Sequence, residues 1–247
     1  MDLSGNTVLV TGGGSGIGLA IAKRFVDAGS RVIVCGRRAS RLAEARAAHP
    51  GLETHVADVA DASSREKLVT WTSAEYPDFD VLVNNAGIQR RARFAADTVD
   101  WSSRHEEIAI NLEAPVHLAA LVVDHFRARP RAAIINITSG LAFVPAPFAP
   151  VYAATKAALH SFTMALRTEL EDTPIRVVEI VPPVVDTDLG GVGLHTHGVP
   201  AADFADSVMT RVAAGELEVG YGSSETARRA SREELDERFA RIAASMG

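Results

Sequence analysis

The stretch YAATK places Tyr152 and Lys156 four residues apart. On a helix, residues at i and i+4 lie one above the other on the same face. A phenol and an ammonium so placed can address one ligand. Alone, a phenol titrates near 10 and a lysine near 10.4, so neither exchanges protons usefully at neutral pH. An ammonium beside the phenol favours the phenolate and lowers its pKa. That moves the hydroxyl towards the range where general acid–base catalysis works. Ser139, thirteen residues upstream at the end of an apolar run, adds a hydroxyl donor for a developing alkoxide. By itself a Tyr-x-x-x-Lys spacing is usually only a surface helix pair. Its chemistry depends on what the rest of the chain brings to it.

The first such element is TGGGSGIG, residues 11–18, which follows a strand-like run and opens a helical one. Gly12, Gly16 and Gly18 fall where the backbone must turn tightly and approach a ligand. With Gly14, Ser15 and Ile17 they form a helix N-terminus whose free N–H groups and dipole suit a pyrophosphate. Without a ligand the same pattern is a flexible turn. The flanking strand and helix are the context that a dinucleotide fingerprint requires. The second run ends in CGRR. There an acidic residue would accept from the 2′-OH of NAD, whereas an arginine admits the 2′-phosphate of NADP. Arg37 and Arg38 stand at that place, which favours NADP(H); two solvated arginines at a helix start are the plainer reading. Asp58, followed by Val59 after the third run, is placed to accept from an adenine amino group or to act as a cap.

Strands are predicted at 7–11, 31–35, 53–57, 80–84, 132–138 and 175–181. They are apolar on both faces, as buried parallel strands are. Helices are predicted near 16–28, 39–48, 62–76, 103–128 and 152–172. The alternation predicts a single α/β domain over 1–247, a doubly wound (Rossmann) parallel sheet with helices on both faces. Pro115 within the 103–128 helix removes the N–H that would bond the Asn111 carbonyl, and so predicts a kink with that carbonyl left for another donor, such as water. Residues 186–199 hold glycines and two histidines and no period, and read as a mobile substrate loop. Ser231 with Glu234 three residues on forms a capping box that opens a final helix.

The totals restrict the class. The chain has 247 residues, 47% hydrophobic and 23% charged, with a formal net charge of −6. This balance argues against nucleic acid or an anionic membrane as partner. No uninterrupted apolar run is long enough for a membrane span, and the MDLSGN start lacks a signal-peptide layout. The lone Cys35 excludes an internal disulfide. A cytoplasmic protein is expected. The histidines show no convincing metal spacing. His195 and His197 read as solvated or lid residues, Arg90 and Arg91 as rim charges or as contacts to an anionic substrate, and Trp71 and Trp101 as packing residues.

Taken in order, TGGGSGIG, NNAG (84–87), Asn111, Ser139 and YAATK resemble the short-chain dehydrogenase/reductase family over about residues 5–215. NLEAPVHL (111–118), TSGLAFVP (138–145) and SREELDERFARI (231–242) further resemble its DltE-like oxidoreductases. The resemblance implies Tyr152 as acid/base, Lys156 as its activator and ribose ligand, Ser139 as orienter of the carbonyl, and Asn111 in a proton relay. It also implies cofactor contacts at Asn85, Ala86, Gly87, Pro182, Val185 and Thr187. Around the catalytic groups, Leu141, Phe143, Phe148, Pro183 and Val184 predict a pocket for a medium-sized apolar or aryl ketone or aldehyde. Two departures from the family pattern stand out. Pro183 replaces the usual glycine after strand six, and the usual C-terminal strand looks missing, leaving 216–247 as an atypical extension. The family's pairing of helices, here 103–128 and 152–172, implies a homodimer; the altered C-terminus bears on a tetramer. A non-catalytic NADP(H) sensor would not need the Ser-Tyr-Lys set. A nucleotide-sugar epimerase or dehydratase would need a larger substrate domain.

Overall fold

Alternating apolar strands and helices wind into a parallel sheet covered on both faces. The structure, a computed structural model, describes residues 1–92, 94 and 99–244. Along the chain come β1 (Thr7–Thr11), α1 (Gly16–Asp27), β2 (Arg31–Gly36), α2 (Ala39–Ala48), β3 (Leu52–Val56), α3 (Ala62–Glu75) and β4 (Phe79–Asn84). There follow α4 (Trp101–Ile108), a π-helical turn (Ala109–Glu113), α5 (Ala114–Arg127), β5 (Ala132–Ile137), α6 (Pro150–Glu169) and β6 (Ile175–Val181). The last part comprises β7 (Val185–Asp186), β8 (Val199–Pro200), α7 (Ala201–Ala213), β9 (Glu218–Gly220), α8 (Ser223–Arg229) and α9 (Arg232–Ala244).

Among the described residues the main sheet has seven strands, in the order β3-β2-β1-β4-β5-β6-β9, all paired in parallel. The winding reverses between β1 and β4. In such sheets the crevice beyond the carboxyl ends at this point is the ligand site. Successive strand residues feed opposite layers: Val8 and Val10 join one cluster with Phe25 and Phe204, and Leu9 joins the other with Phe79 and Phe126. This matches the predicted doubly wound fold.

Three features depart from the sequence reading. The helix predicted over 103–128 is interrupted by the π turn. Proline has no N–H to give the carbonyl four residues back, and next to Pro115 the ladder shifts to i→i+5, with the Ala114 N–H donating to the Ala109 carbonyl. Second, the C-terminal strand is present. It is β9, three residues long, paired with β6; so short a run with one β-branched residue carries little signal. The Glu225 carboxylate holds it, accepting from the Gly220 N–H at 2.9 Å and pairing with Arg211 and Arg228. Third, Trp101 is 68% exposed rather than packed. The predicted capping box is made in both directions, Ser231 N–H to Glu234 and Glu234 N–H to Ser231 Oγ. The β7–β8 pair pins both ends of the 186–199 loop.

Helix α6 presents Tyr152, Lys156 and His160 at steps of four. His160 Nδ1 lies 2.9 Å from Glu179 on β6, which is fully buried and also accepts from Thr138 Oγ1 at 2.7 Å. The hydrogen bond to Glu179 raises the His160 pKa above its ordinary 6.5. The group therefore stabilises the fold fully below its unfolded value, and this contribution is lost as pH rises through the higher folded value. His160→Gln should lower the melting temperature most at pH 5–6, with the difference from wild type shrinking towards pH 9. A pH-independent difference in thermal denaturation would show that the ion pair contributes nothing.

Candidate active site

Loops beyond the carboxyl ends of β1, β2, β4, β5 and β6 enclose a cavity of about 1370 Å³. One end is built on the glycine turn. Gly12 has φ +64°, and a Cβ there would lie 2.9 Å from Ala86 Cα. Gly18 is packed so closely that a Cβ would lie 2.3 Å from Asn85 Nδ2. Asn85 Nδ2 donates to the carbonyls of Thr11 and Gly12 at 2.9 and 3.2 Å, and Thr11 Oγ1 accepts from the N–H groups of Asn85 and Ala86. Thus the turn after β1 and the NNAG segment after β4 are stitched into one wall. Ser15, the N-cap of α1, makes no side-chain cap bond, so first-turn N–H groups face the cavity without a competing side-chain acceptor. A tight glycine cradle at an uncapped helix N-terminus fits a pyrophosphate.

All the residues predicted for cofactor binding reach this cavity except Gly18, which sits buried behind it. Its role is packing against Asn85. Arg37 Nη1 lies 2.8 Å from Glu106 and 3.8 Å from Asp58. The Arg38 side chain makes no hydrogen bond or ion pair with the described residues. Asp58 also accepts from the Ala60 N–H at 3.0 Å in a local turn, while the cap of α3 is Asp61.

At the other end, Ser139, Tyr152 and Lys156 come together. Tyr152 and Lys156 are only 6% and 4% exposed. The Ser139 side chain acts on the Tyr152 hydroxyl, lowering its pKa, and Ser139 Oγ accepts from the Leu141 N–H at 3.1 Å. Lys156 Nζ donates to the Ile137 carbonyl at 2.8 Å and stands 5.7 Å from the centre of the tyrosine ring. Here the electrostatic expectation is reversed. Burial pushes the phenol up to about 12, with the Glu107 charge adding to the rise and the Ser139 bond opposing it. Burial also pushes the lysine down to about 8. Desolvation exceeds the ammonium's pull, because both groups lose water while Lys156 turns to a carbonyl.

Asn111 does not line the cavity. Its side chain is fully buried and clamps Ile88, donating to the Ile88 carbonyl at 2.8 Å and accepting from its N–H at 2.9 Å. Of the predicted pocket residues, Leu141, Phe148, Pro183 and Val184 line the cavity. Phe143 does not; its ring packs 4.6 Å from His160. His195 is buried rather than solvated, and it lines the cavity, as do Gln89 and Arg91. No group of potential metal ligands occurs among the described residues. Sequence reasoning missed Glu107, buried four residues before Asn111, and Gln89, two residues after NNAG. Their adjacency to recognised motifs was the available signal.

The family model described as short chain dehydrogenase matches residues 6–193. The chain belongs to the short-chain dehydrogenase family. It is 45% identical over 244 residues, 97% of both chains, to the uncharacterized oxidoreductase DltE of Bacillus subtilis, which places it with the DltE-like members. It is 36% identical over 181 residues, 72% of both chains, to the NADP-dependent 3-hydroxy acid dehydrogenase YdfG of Salmonella typhi. Among solved structures, a short-chain dehydrogenase from Streptomyces avermitilis superposes with a TM-score of 0.83 at 26% identity, covering 99% of this chain and 97% of that one. The protein is thus an oxidoreductase of a family that binds a nicotinamide cofactor.

Proposed function

We propose that the protein uses NADP(H) to interconvert a carbonyl and a secondary or primary alcohol, working as a carbonyl reductase on a medium-sized apolar or aryl ketone or aldehyde. The observation that carries this reading is the meeting of the buried Tyr152, Ser139 and Lys156 at one end of a cavity whose other end is the glycine cradle. The glycine turn would hold the pyrophosphate, Lys156 the ribose, and Asn85 to Gly87 the adenosine side. The bound nicotinamide supplies or accepts hydride. Ser139 and Tyr152 then donate to one carbonyl oxygen, and Tyr152 gives up its proton as that oxygen becomes a hydroxyl. A phenol held near 12 keeps its proton at neutral pH, which suits the reducing direction. Lys156, whose pKa of about 8 lies close to neutrality, can resupply it.

The preference for NADP(H) rests on Arg37 and Arg38 at the end of β2, the second with no acidic partner among the described residues, and on the naming of YdfG as NADP-dependent. A homodimer across α4–α5 and α6 is part of the proposal; Met164 on α6 is half exposed, as an interface residue would be in the single chain. Light scattering at micromolar concentration should give twice the chain mass, and a monomer would refute it.

Tyr152→Phe should lower NADPH-driven turnover of an aryl aldehyde by at least about a hundredfold, while cofactor affinity by fluorescence titration changes little. Turnover near wild type would sink the assignment. Arg37→Asp should weaken NADPH by roughly 10- to 100-fold more than NADH, the value of a charge-assisted hydrogen bond. Equal losses for the two cofactors would contradict the phosphate role.

A further inference from the structure

Resting on the carbonyl-reductase reading, we infer that the substrate end of the cavity holds an anion subsite formed by Arg91, Gln89 and His195, so that the preferred carbonyl compound carries one oxyacid group, such as a carboxylate. Three loops bring these side chains to one wall. The segment after NNAG is tied to the loop after β5, since the Ala92 N–H donates to the Phe148 carbonyl at 2.9 Å. The 186–199 loop closes against it, with Gly190 so near that a Cβ there would lie 3.3 Å from Gln89 Oε1.

Each of the three has unused bonding capacity. Gln89 is 7% exposed and its Oε1 is buried without a hydrogen-bond partner. Its side chain bonds to none of the described residues, although it lines the cavity. A buried amide left unpaired costs stability unless a ligand completes it. A half-turn of the amide brings Nε2 to the ligand as donor. His195 is 9% exposed and its ring makes no hydrogen bond among the described residues. Burial and the Arg91 charge hold its pKa down, so it offers an N–H without requiring a counter-ion. Arg91 lies over the Phe148 ring at 4.6 Å and has no ion pair among the described residues.

Several other charges on the cavity wall are already matched. Glu106 is shared by Arg37 and Arg90. Asp188 lies 3.8 Å from Arg41. Asp186 is the acidic group that acts on His195, and it opposes Arg91 there. The Arg91 guanidinium is thus the unmatched cation at the end of the cavity that carries Phe148. A guanidinium fork poised over an aromatic ring is suited to bidentate capture of a carboxylate. Leu141 and Val184 on the same wall leave the body of the substrate apolar, so one anion on an apolar or aryl frame fits and a polyanion does not.

The test compares 4-formylbenzoate with its methyl ester, which keep the ring and aldehyde and differ in charge. With NADPH, the wild-type kcat/KM should favour the acid by about tenfold or more. In Arg91→Ala the acid-to-ester ratio should fall by about tenfold, in Gln89→Leu by less, and Arg91→Lys should restore part of it. A binding arm needs no turnover: calorimetry of the NADP⁺-loaded protein with benzoate should show about tenfold weaker binding in Arg91→Ala than in wild type. A wild-type preference for the ester, an acid-to-ester ratio unaltered by Arg91→Ala, or benzoate affinity equal in both proteins overturns the subsite. If neither aldehyde is reduced, the carbonyl-reductase reading fails, and the benzoate titration alone decides the subsite.

Discussion

A lysine ammonium sealed from water at the carboxyl edge of a parallel sheet constrains everything around it. Lys156 is 4% exposed, and the neighbour that receives its proton is the carbonyl of Ile137, the last residue of β5. A buried amine without such a partner would lose its charge. The bond therefore fixes α6 against β5, and in doing so fixes where Tyr152, one turn earlier, presents its hydroxyl. Ser139, two residues beyond Ile137, is carried to that hydroxyl by the same strand end. The catalytic set is in effect one strand terminus and one helix face locked by a single charged hydrogen bond.

The second wall is held by amide side chains rather than charges. Asn111 clamps both backbone groups of Ile88, and Asn85 ties the NNAG segment to the glycine turn. Asn84 extends the rung by donating to Asn136 Oδ1, and Asn136 donates to Thr163 on α6. Bonded amides of this kind set positions, although Asn84 Oδ1 is buried without a partner. The π turn beside Pro115 belongs to the same scheme. π turns cluster at functional sites, and this one sits in the helix segment that holds Asn111. Gly87 fits between the two halves: a Cβ there would lie 3.3 Å from Asn111 Oδ1 and 3.8 Å from Lys156 Nζ.

Much of this was legible in the sequence, because the central residues of β1, β4 and β5 are apolar on both faces and leave one fold class open. The glycine turn, Ser139, Tyr152 and Lys156 were found by residue type and spacing, and the structure brings them to one cavity. Four things were not legible. Whether the lysine charge or burial governs the tyrosine depends on which way Nζ turns, and a spacing of four does not state that. Asn111 reads as a site residue, yet only tertiary packing shows that its side chain is consumed by Ile88. Gln89 and Arg91 follow NNAG while His195 comes from the 186–199 loop, and no local pattern links these two segments. The strand β9 was missed because its stability comes from the Glu225 carboxylate that follows it and not from its own three residues.

The central claim is that burial sets the acidity of Tyr152; a cationic oxidised nicotinamide bound beside it would favour the phenolate and oppose that effect. Tyrosine labelled with ¹³C at the ring carbon bearing the hydroxyl allows the phenols to be titrated by NMR, with Tyr152→Phe identifying the signal. The account predicts that Tyr152 titrates well above 10 in the protein without added nucleotide, and that its pKa falls when NADP⁺ is added. A Tyr152 that titrates near 10 or below without nucleotide, or whose pKa is unmoved by NADP⁺, would contradict it.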